Sequence, residues 1–259
     1  GVCGRELSSE LSTFQILFWR GLLGGIAILP LLFYQGWGHV RTKRPGAQIW
    51  RNLFNFAGQY GWFYAIGVIS LAEVFALEFT TPIWTALLSF LFLKERLTIP
   101  RLTAIALGFG GILLITRPGV EATNPAALAV LGAAIAYAAS YTMVKSLTDT
   151  ESPLTILVYM TVVQLPLSLA FSVDGWIWPS STLWPWIVAV GLSGLSAHYC
   201  MARAFQLGDV MLVVPLDFLR LPLIVAVGFF YYGEALNPWV LGGAALVFAA
   251  NFLNIRYAH

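Results

Sequence analysis

The sequence predicts an all-α integral membrane protein built from two inverted repeats of five transmembrane helices, ten in all. Three observations support this class. Hydrophobic residues make up 59% of the chain and charged residues only 10%, whereas soluble domains carry about 25% charged residues. The chain matches itself at an offset of 139 residues, which indicates that one structural unit is used twice. Lys and Arg are concentrated in alternate loops, which predicts how each copy is oriented.

The internal match runs without a gap from Ser70 to Arg117 and again from Asp209 to Arg256. Each copy has a polar starting residue, a long apolar run that contains an acid, a glutamate, a second polar start and a final arginine. Membrane proteins made of two such halves usually carry transport. A duplicated inert anchor is the alternative, and charged residues inside the apolar runs argue against it.

Nine apolar stretches are long enough to cross the membrane, since about 20 helical residues span roughly 30 Å of hydrocarbon. They cover residues 14–35, 48–69, 71–93, 99–116, 126–146, 153–173, 183–206, 210–232 and 238–256. The second half has five spans and the first has four, so residues 1–7 are expected to be the end of a first helix that is mostly missing here. Residues 1–117 are thus the predicted first repeat, with four complete helices plus this remnant, and residues 126–257 are the second repeat, with five.

Several helix starts carry a capping signal. Ser70 and Glu73 form a capping box, and Asp209 stands at the equivalent place in the second copy. Thr98 and Asn237 are expected to cap the helices that follow them, with a proline in each first turn. Glu73 is therefore interpreted as a cap, not as a site residue.

The distribution of basic residues predicts the orientation in the membrane. Ten of the 14 Lys and Arg residues fall on one side and two on the other, while Arg20 and Arg220 lie within spans. The richer side, which includes Arg51 and the C-terminus, is expected to be cytoplasmic. The turn at 94–96 is then inside and its counterpart at Glu234 is outside, so the two copies are inverted.

The chain resembles the EamA family of the drug/metabolite transporter superfamily. The resemblance is carried by the sequence Lys-Glu-Arg at 94–96, by Gly-Glu-Ala-Leu at 233–236, and by the segment 215–222. It implies a multi-pass protein of the bacterial inner membrane that carries a small organic metabolite, often as an exporter, through a cavity between the repeats. The partners implied are this substrate and the lipid bilayer, and the prediction allows a homodimer.

Four ionisable residues lie inside the apolar runs: Arg20, Glu78, Asp217 and Arg220. Each costs about 2.5–3.5 kcal/mol on insertion scales, so each needs a partner or a function. Their charges cancel, which favours a neutral or zwitterionic substrate. Arg20 and Glu78 lie roughly 9 and 10 Å along helices that start at the same face, so we expect that they can meet. A buried structural pair and a role in the cavity both remain open.

Asp217 and Arg220 are three residues apart on one helix, so their side chains share a face. Arg220 lies about 15 Å deep, near the midplane. Its counterpart in the first copy is Thr81, and a proline, Pro222 or Pro82, stands beside each of them. Broken helices near the midplane are where such carriers place substrate. We predict that Arg220 binds a substrate carboxylate and that Asp217 carries a coupling proton, with a permanent pair as the alternative.

Other polar and aromatic residues are candidates for the substrate site because they recur at helical spacing. These are Gln59, Tyr60, Tyr64, Thr81, Trp84, Tyr137, Tyr141, His198 and Tyr199. Taken singly, each is more often a packed side chain than a ligand. Their aromatic character favours an amino-acid-like or aromatic substrate.

Other functions fit the sequence less well. An enzyme would need a metal cluster or a nucleophile with a base; the three histidines are scattered, so no catalytic residue, metal or cofactor is predicted. A lipid-modifying membrane enzyme is the weaker alternative, and a channel would need rings of like charge. A nucleotide-sugar-type exchanger is the alternative within transport. The ATP-binding loop is absent, so a gradient must drive transport, and no basic face predicts nucleic-acid binding.

Overall fold

The structure, a computed structural model, describes residues 1–93, 99–117, 124–208, 213 and 220–256. Every regular element in these ranges is helical. The α-helices are α1 (Val2–Leu7), α2 (Thr13–Gln35), α3 (Pro45–Val68), α4 (Leu71–Glu78), α5 (Thr81–Leu93), α6 (Ile99–Thr116), α7 (Pro125–Thr148), α8 (Pro153–Ser172), α9 (Trp184–Leu207), α10 (Leu221–Tyr232) and α11 (Pro238–Arg256). Short 3₁₀ turns at Trp37–Val40 and Ser181–Leu183 precede α3 and α9.

Several helices begin at residues whose side chains accept hydrogen bonds from the first-turn amides. Ser12 accepts from the Gln15 amide in a capping box, and Ser152 accepts from the Thr155 amide 140 residues later. The predicted cap at Ser70 is confirmed, since its hydroxyl accepts from the Glu73 amide at 3.2 Å. The cap at Asn237 is confirmed as well. The predicted caps at Thr98 and Asp209 lie outside the described residues.

The predicted span 71–93 is not one continuous helix but is broken between α4 and α5. Pro82 lacks an amide hydrogen, so the carbonyl of Glu78 loses its helical partner. The Thr81 hydroxyl donates to that carbonyl at 2.6 Å. Asn251 of α11 donates to the carbonyl of Phe79 at 3.0 Å. The break is stable because side chains replace the missing backbone bonds, and it places Glu78 at a helix end.

Glycines let several helix pairs approach to backbone contact. A Cβ at Gly111 of α6 would lie 2.8 Å from the carbonyl oxygen of Gly243 on α11, and a Cβ at Gly243 would lie 2.7 Å from that of Gly111. A Cβ at Gly61 of α3 would lie 2.6 Å from the carbonyl oxygen of Ala129 on α7. In addition, α2 packs on α8. Small residues at such crossings are typical of helix packing in membranes.

Polar ties connect the first half of the chain to the second at both ends of the bundle. At the end where α4 begins, Arg5 donates to Glu234 at 2.8 Å, and Glu234 also accepts from the Leu71 amide at 3.0 Å. At the end where α3 begins, Glu151 accepts from the Thr42 hydroxyl at 2.7 Å. Both ties join residues more than 100 positions apart, so the two halves form one bundle.

The helices have the character of a membrane protein. α2, α7 and α8 are long and apolar enough to cross a membrane by length and composition. Large apolar side chains face outward on several helices; Phe33 is 72% exposed, Leu223 70% and Phe230 83%. An apolar exterior of this kind suits lipid. The prediction that Arg51 belongs to a cytoplasmic loop is wrong. Arg51 lies within α3 and is only 2% exposed.

Candidate functional site

A cavity of about 560 Å³ lies between the helices of the two halves. The described part of its wall comes from α2, α3, α4, α7 and α9, together with Gly1, Val213 and Arg220. Seven residues singled out from the sequence lie on this wall. They are Arg20, Gln59, Glu78, Tyr137, Tyr141, His198 and Arg220. The structure thus brings together side chains that are up to 200 positions apart in sequence.

Five further candidates lie away from the described wall. Tyr60, Tyr64 and Tyr199 are each 37% exposed, and Tyr60 stacks on Phe14 with ring centroids 4.6 Å apart. They differ from Gln59 and His198 by one or a few positions, and each residue along a helix turns the side chain by about 100°. That rotation removes them from the cavity.

Thr81 and Trp84 are also absent from the described wall, because both serve the break between α4 and α5. Thr81 bonds the Glu78 carbonyl, and the Trp84 indole donates to the Thr80 hydroxyl at 3.1 Å. Asp217 lies outside the described residues, and its predicted coupling role stays a prediction.

Glu78 is the centre of a charged cluster that joins the two halves. Its Oε1 accepts from Nη2 of Arg220 at 2.7 Å, and its Oε2 accepts from the Trp62 indole at 2.8 Å. The Arg220 guanidinium also lies over the Phe75 ring, 4.9 Å from the centroid. Glu78 is therefore held by Arg220, and not by Arg20 as its depth in the membrane suggested.

Arg20 has a different environment. Its Nη1 donates to Oε1 of Gln59 at 2.8 Å, and Nε2 of Gln59 lies 3.5 Å from Nε2 of His198. The guanidinium lies against Gly194 of α9, where a Cβ would be 2.5 Å from the Arg20 Nε. No described acid forms an ion pair with Arg20, so neutral groups surround this cation on the protein side.

A stripe of buried polar residues continues from Gln59 along α3, and apart from Gln59 sequence reasoning did not assign its members to the site. Its members are Gln48, Arg51, Asn52, Asn55 and Gln59. Arg51 donates to Oδ1 of Asn52 at 2.9 Å, and Gln164 of α8 donates to the same oxygen at 3.1 Å. The signal was present in the sequence, because these residues recur every three or four positions in an otherwise apolar helix.

Aromatic residues supply the apolar part of the wall. Tyr137 and Tyr141 of α7 stack with centroids 5.9 Å apart and planes 8° apart. A Cβ at Gly58 of α3 would lie 2.9 Å from the Tyr137 ring, so the glycine makes room for it. Trp62 and Phe63 line the same cavity and were missed because their neighbours Tyr60 and Tyr64 were preferred. Offset aromatic faces of this kind suit a planar ligand.

The chemistry available here is binding. Among the described residues no group of three His, Cys, Asp or Glu side chains could hold a metal ion. The described wall offers one ion pair, one arginine with neutral partners, the Gln59 amide, an imidazole and aromatic faces. Ligand sites commonly have this composition, with an apolar lining and a few polar groups that fix orientation.

Comparison with known proteins gives consistent results. The model of the EamA-like transporter family matches residues 1–117 and 124–256. A protein named S-adenosylmethionine uptake transporter from Rickettsia conorii is 28% identical, over 95% of this chain and 84% of its own. A riboflavin transporter from Brucella anthropi is 31% identical, over 93% and 87% respectively.

One solved structure, described only as the crystal structure of a protein, superposes with a TM-score of 0.72 at 16% identity, covering 99% of this chain and 91% of that one. At that identity the likeness concerns the fold alone.

Proposed function

The chain belongs to the EamA-like transporter family, and the relatives named above are transporters and not enzymes. From this premise we propose that the chain is a multi-pass secondary transporter of a small organic metabolite. The observation that carries the proposal is the cavity of about 560 Å³ lined from both halves. Sites for drug-sized ligands have volumes of about 300–1,000 Å³. The seven predicted residues on the wall are proposed as the binding residues.

The proposed substrate is amino-acid-like or aromatic. Stacked Tyr137 and Tyr141, with Trp62, offer faces for a planar ring, and Arg20 and Glu78 offer charge. S-adenosylmethionine and riboflavin, which appear in the names of the relatives, both contain a fused ring system. They are therefore the first compounds to test.

The inverted repeat is part of the proposal, with residues 1–117 and 126–257 as its two copies. It is supported by the way equivalent helices pair: α2 packs on α8, and α6 packs on α11. Ser12 and Ser152 cap equivalent helices in the same manner. Two copies related by an axis in the membrane plane bring their equivalent helices together in this way.

We also propose a location, an orientation in the membrane and a direction of transport. Bacterial relatives and the apolar exterior favour the inner membrane, and the basic residues favour a cytoplasmic C-terminus. Export and proton coupling stay predictions from the sequence. The Rickettsia relative is named for uptake, which favours the inward direction, and a gradient-driven carrier can run in either.

Transport by proteoliposomes containing the purified protein tests the proposal. Radiolabelled S-adenosylmethionine and riboflavin are supplied outside or preloaded inside, and uptake and release are measured against empty liposomes. Ala197 lies on the cavity wall, so Ala197→Trp is expected to fill the cavity and to abolish flux. Leu192 of the same helix is 51% exposed and absent from the described wall, so Leu192→Trp is the matched control. Equal flux in the two variants would show that the cavity is not the route.

A further inference from the structure

Arg20 is a buried cation whose protein partners are neutral. It is 8% exposed and lines the cavity. Of the five N–H donors of the guanidinium, the described residues engage only one, through Gln59 at 2.8 Å. The other arginine on the described wall, Arg220, is 2.7 Å from the carboxylate of Glu78. The two arginines of the cavity therefore differ in charge balance.

The position of the Arg20 guanidinium is set by two other helices. Gln59 of α3 holds Nη1, while Gly194 of α9 provides a flat surface against which the guanidinium lies. A Cβ at Gly194 would be 2.5 Å from Nε and 2.9 Å from Nη2, so any larger residue there would displace the group. Preorganised donors of this kind bind more tightly because less freedom is lost on binding.

A buried charge without an opposite charge is costly. Its burial removes several kcal/mol of hydration free energy, and hydrogen bonds to neutral partners restore only part of this. Arg51 adds a second buried cation with neutral partners, since its guanidinium donates to Asn52 and is 2% exposed. Among the described residues, Arg20 and Arg51 are thus buried within spanning helices without an acidic partner, whereas Glu78 is paired with Arg220. An anionic ligand group would lower this cost.

We infer that Arg20, oriented by Gln59 and Gly194, binds a carboxylate of the transported substrate. The inference rests on the proposed function and narrows it to carboxylate-bearing metabolites, with their ring placed toward Tyr137 and Tyr141. A guanidinium fork matches a carboxylate in geometry, and a singly charged group matches Arg20, the arginine of the wall without an acidic partner among the described residues. The sequence predicts that Arg220 binds the substrate carboxylate. We assign this role to Arg20 instead, because Arg220 is paired with Glu78.

Two pairs of probes that differ by a carboxylate test the inference. They are S-adenosylmethionine with its decarboxylated form, and L-tryptophan with tryptamine. Binding to the purified full chain in detergent is measured by calorimetry, with riboflavin, which has no carboxylate, as a further probe. In the parent protein we expect the carboxylate member of at least one pair to bind roughly ten- to hundredfold more tightly, the range of a charge-assisted hydrogen bond.

Three variants locate this preference. Arg20→Gln is expected to abolish it. Gly194→Ala keeps the charge but displaces the flexible end of the Arg20 side chain, so it is expected to fold and to lose most of the preference. Arg203→Gln removes an exposed arginine of the same helix, bonded only to Gln206 among the described residues, and is expected to leave the preference unchanged.

Three results would overturn the inference. The first is a parent protein that binds each decarboxylated probe as tightly as its partner. The second is a parent protein that transports riboflavin while binding neither carboxylate probe. The third is a carboxylate preference that survives in both Arg20→Gln and Gly194→Ala. Each of these results leaves the proposed transport function standing if flux through the cavity is observed. If the parent protein transports none of the compounds, the proposed transport function itself is contradicted.

Discussion

The ion pair between Glu78 and Arg220 is expected to couple the two halves energetically. Glu78→Gln, Arg220→Gln and the double variant form a double-mutant cycle that isolates this pair. Gln at position 78 keeps an oxygen that can accept from the Trp62 indole, which donates to Glu78 at 2.8 Å. The cycle therefore removes the charge interaction with little change in shape.

The magnitude follows from the exposure of the two side chains. Breaking a fully buried pair costs about 3–5 kcal/mol, since one charge is left uncompensated, whereas an exposed pair contributes about 0–1 kcal/mol. Here the N–O distance is 2.7 Å, and the Glu78 and Arg220 side chains are 10% and 35% exposed. Because Arg220 is partly solvated, we expect a coupling free energy of about 1–3 kcal/mol.

The coupling is measured from the free energy of unfolding in mixed micelles titrated with SDS. Each single variant is expected to be less stable than the parent, and the double variant more stable than the sum of the two losses predicts. Distant, independent sites add to within about 0.3–0.5 kcal/mol. Additivity within that range would refute the view that this pair holds the halves together.

Two further predictions concern packing and access. Gly111→Ala is expected to destabilise the protein by about 1–3 kcal/mol through overpacking, because its Cβ would lie 2.8 Å from the Gly243 oxygen. Gly110→Ala is the control: its Cβ would meet nothing within 4 Å, so its free energy of unfolding in the SDS titration should be unchanged or slightly higher. Cys200 is exposed and lines the cavity, so in a Cys3→Ser background a maleimide should label it, and saturating S-adenosylmethionine or riboflavin should slow the labelling. Equal losses at both glycines, or a rate that neither compound changes, would contradict these expectations.

Features that depend on neighbours in sequence were predictable. Ser12, Ser70 and Ser152 begin helices because a cap and its amide are three residues apart, and that distance can be read directly. The weak point beside Pro82 was predictable for the same reason, since a proline removes one known hydrogen bond. The partner that repairs the break, Asn251, comes from another helix and leaves no local signal.

Features that depend on helix rotation and on neighbouring helices were not predictable. The depth of Arg20 and Glu78 along their helices was estimated from the rise per residue, but depth does not say which helices are adjacent. Glu78 consequently pairs with Arg220. Arg51 was counted with the basic residues of a loop, although the helix already begins at Pro45. Rotation also separates Gln59, on the wall, from Tyr60, which is 37% exposed.

The contact between Gly111 and Gly243 constrains how this molecule can move. An axial slide of one turn, about 5.4 Å, would bring Ile115 or Val247, four positions on, into a space where a single Cβ does not fit, so α6 and α11 are held in register. Neither helix contributes a described residue to the cavity wall. A carrier has to change conformation while its two halves stay packed together. In this protein different helices serve these two requirements. We therefore expect the α6–α11 pair to keep its packing while the helices of the cavity wall change position.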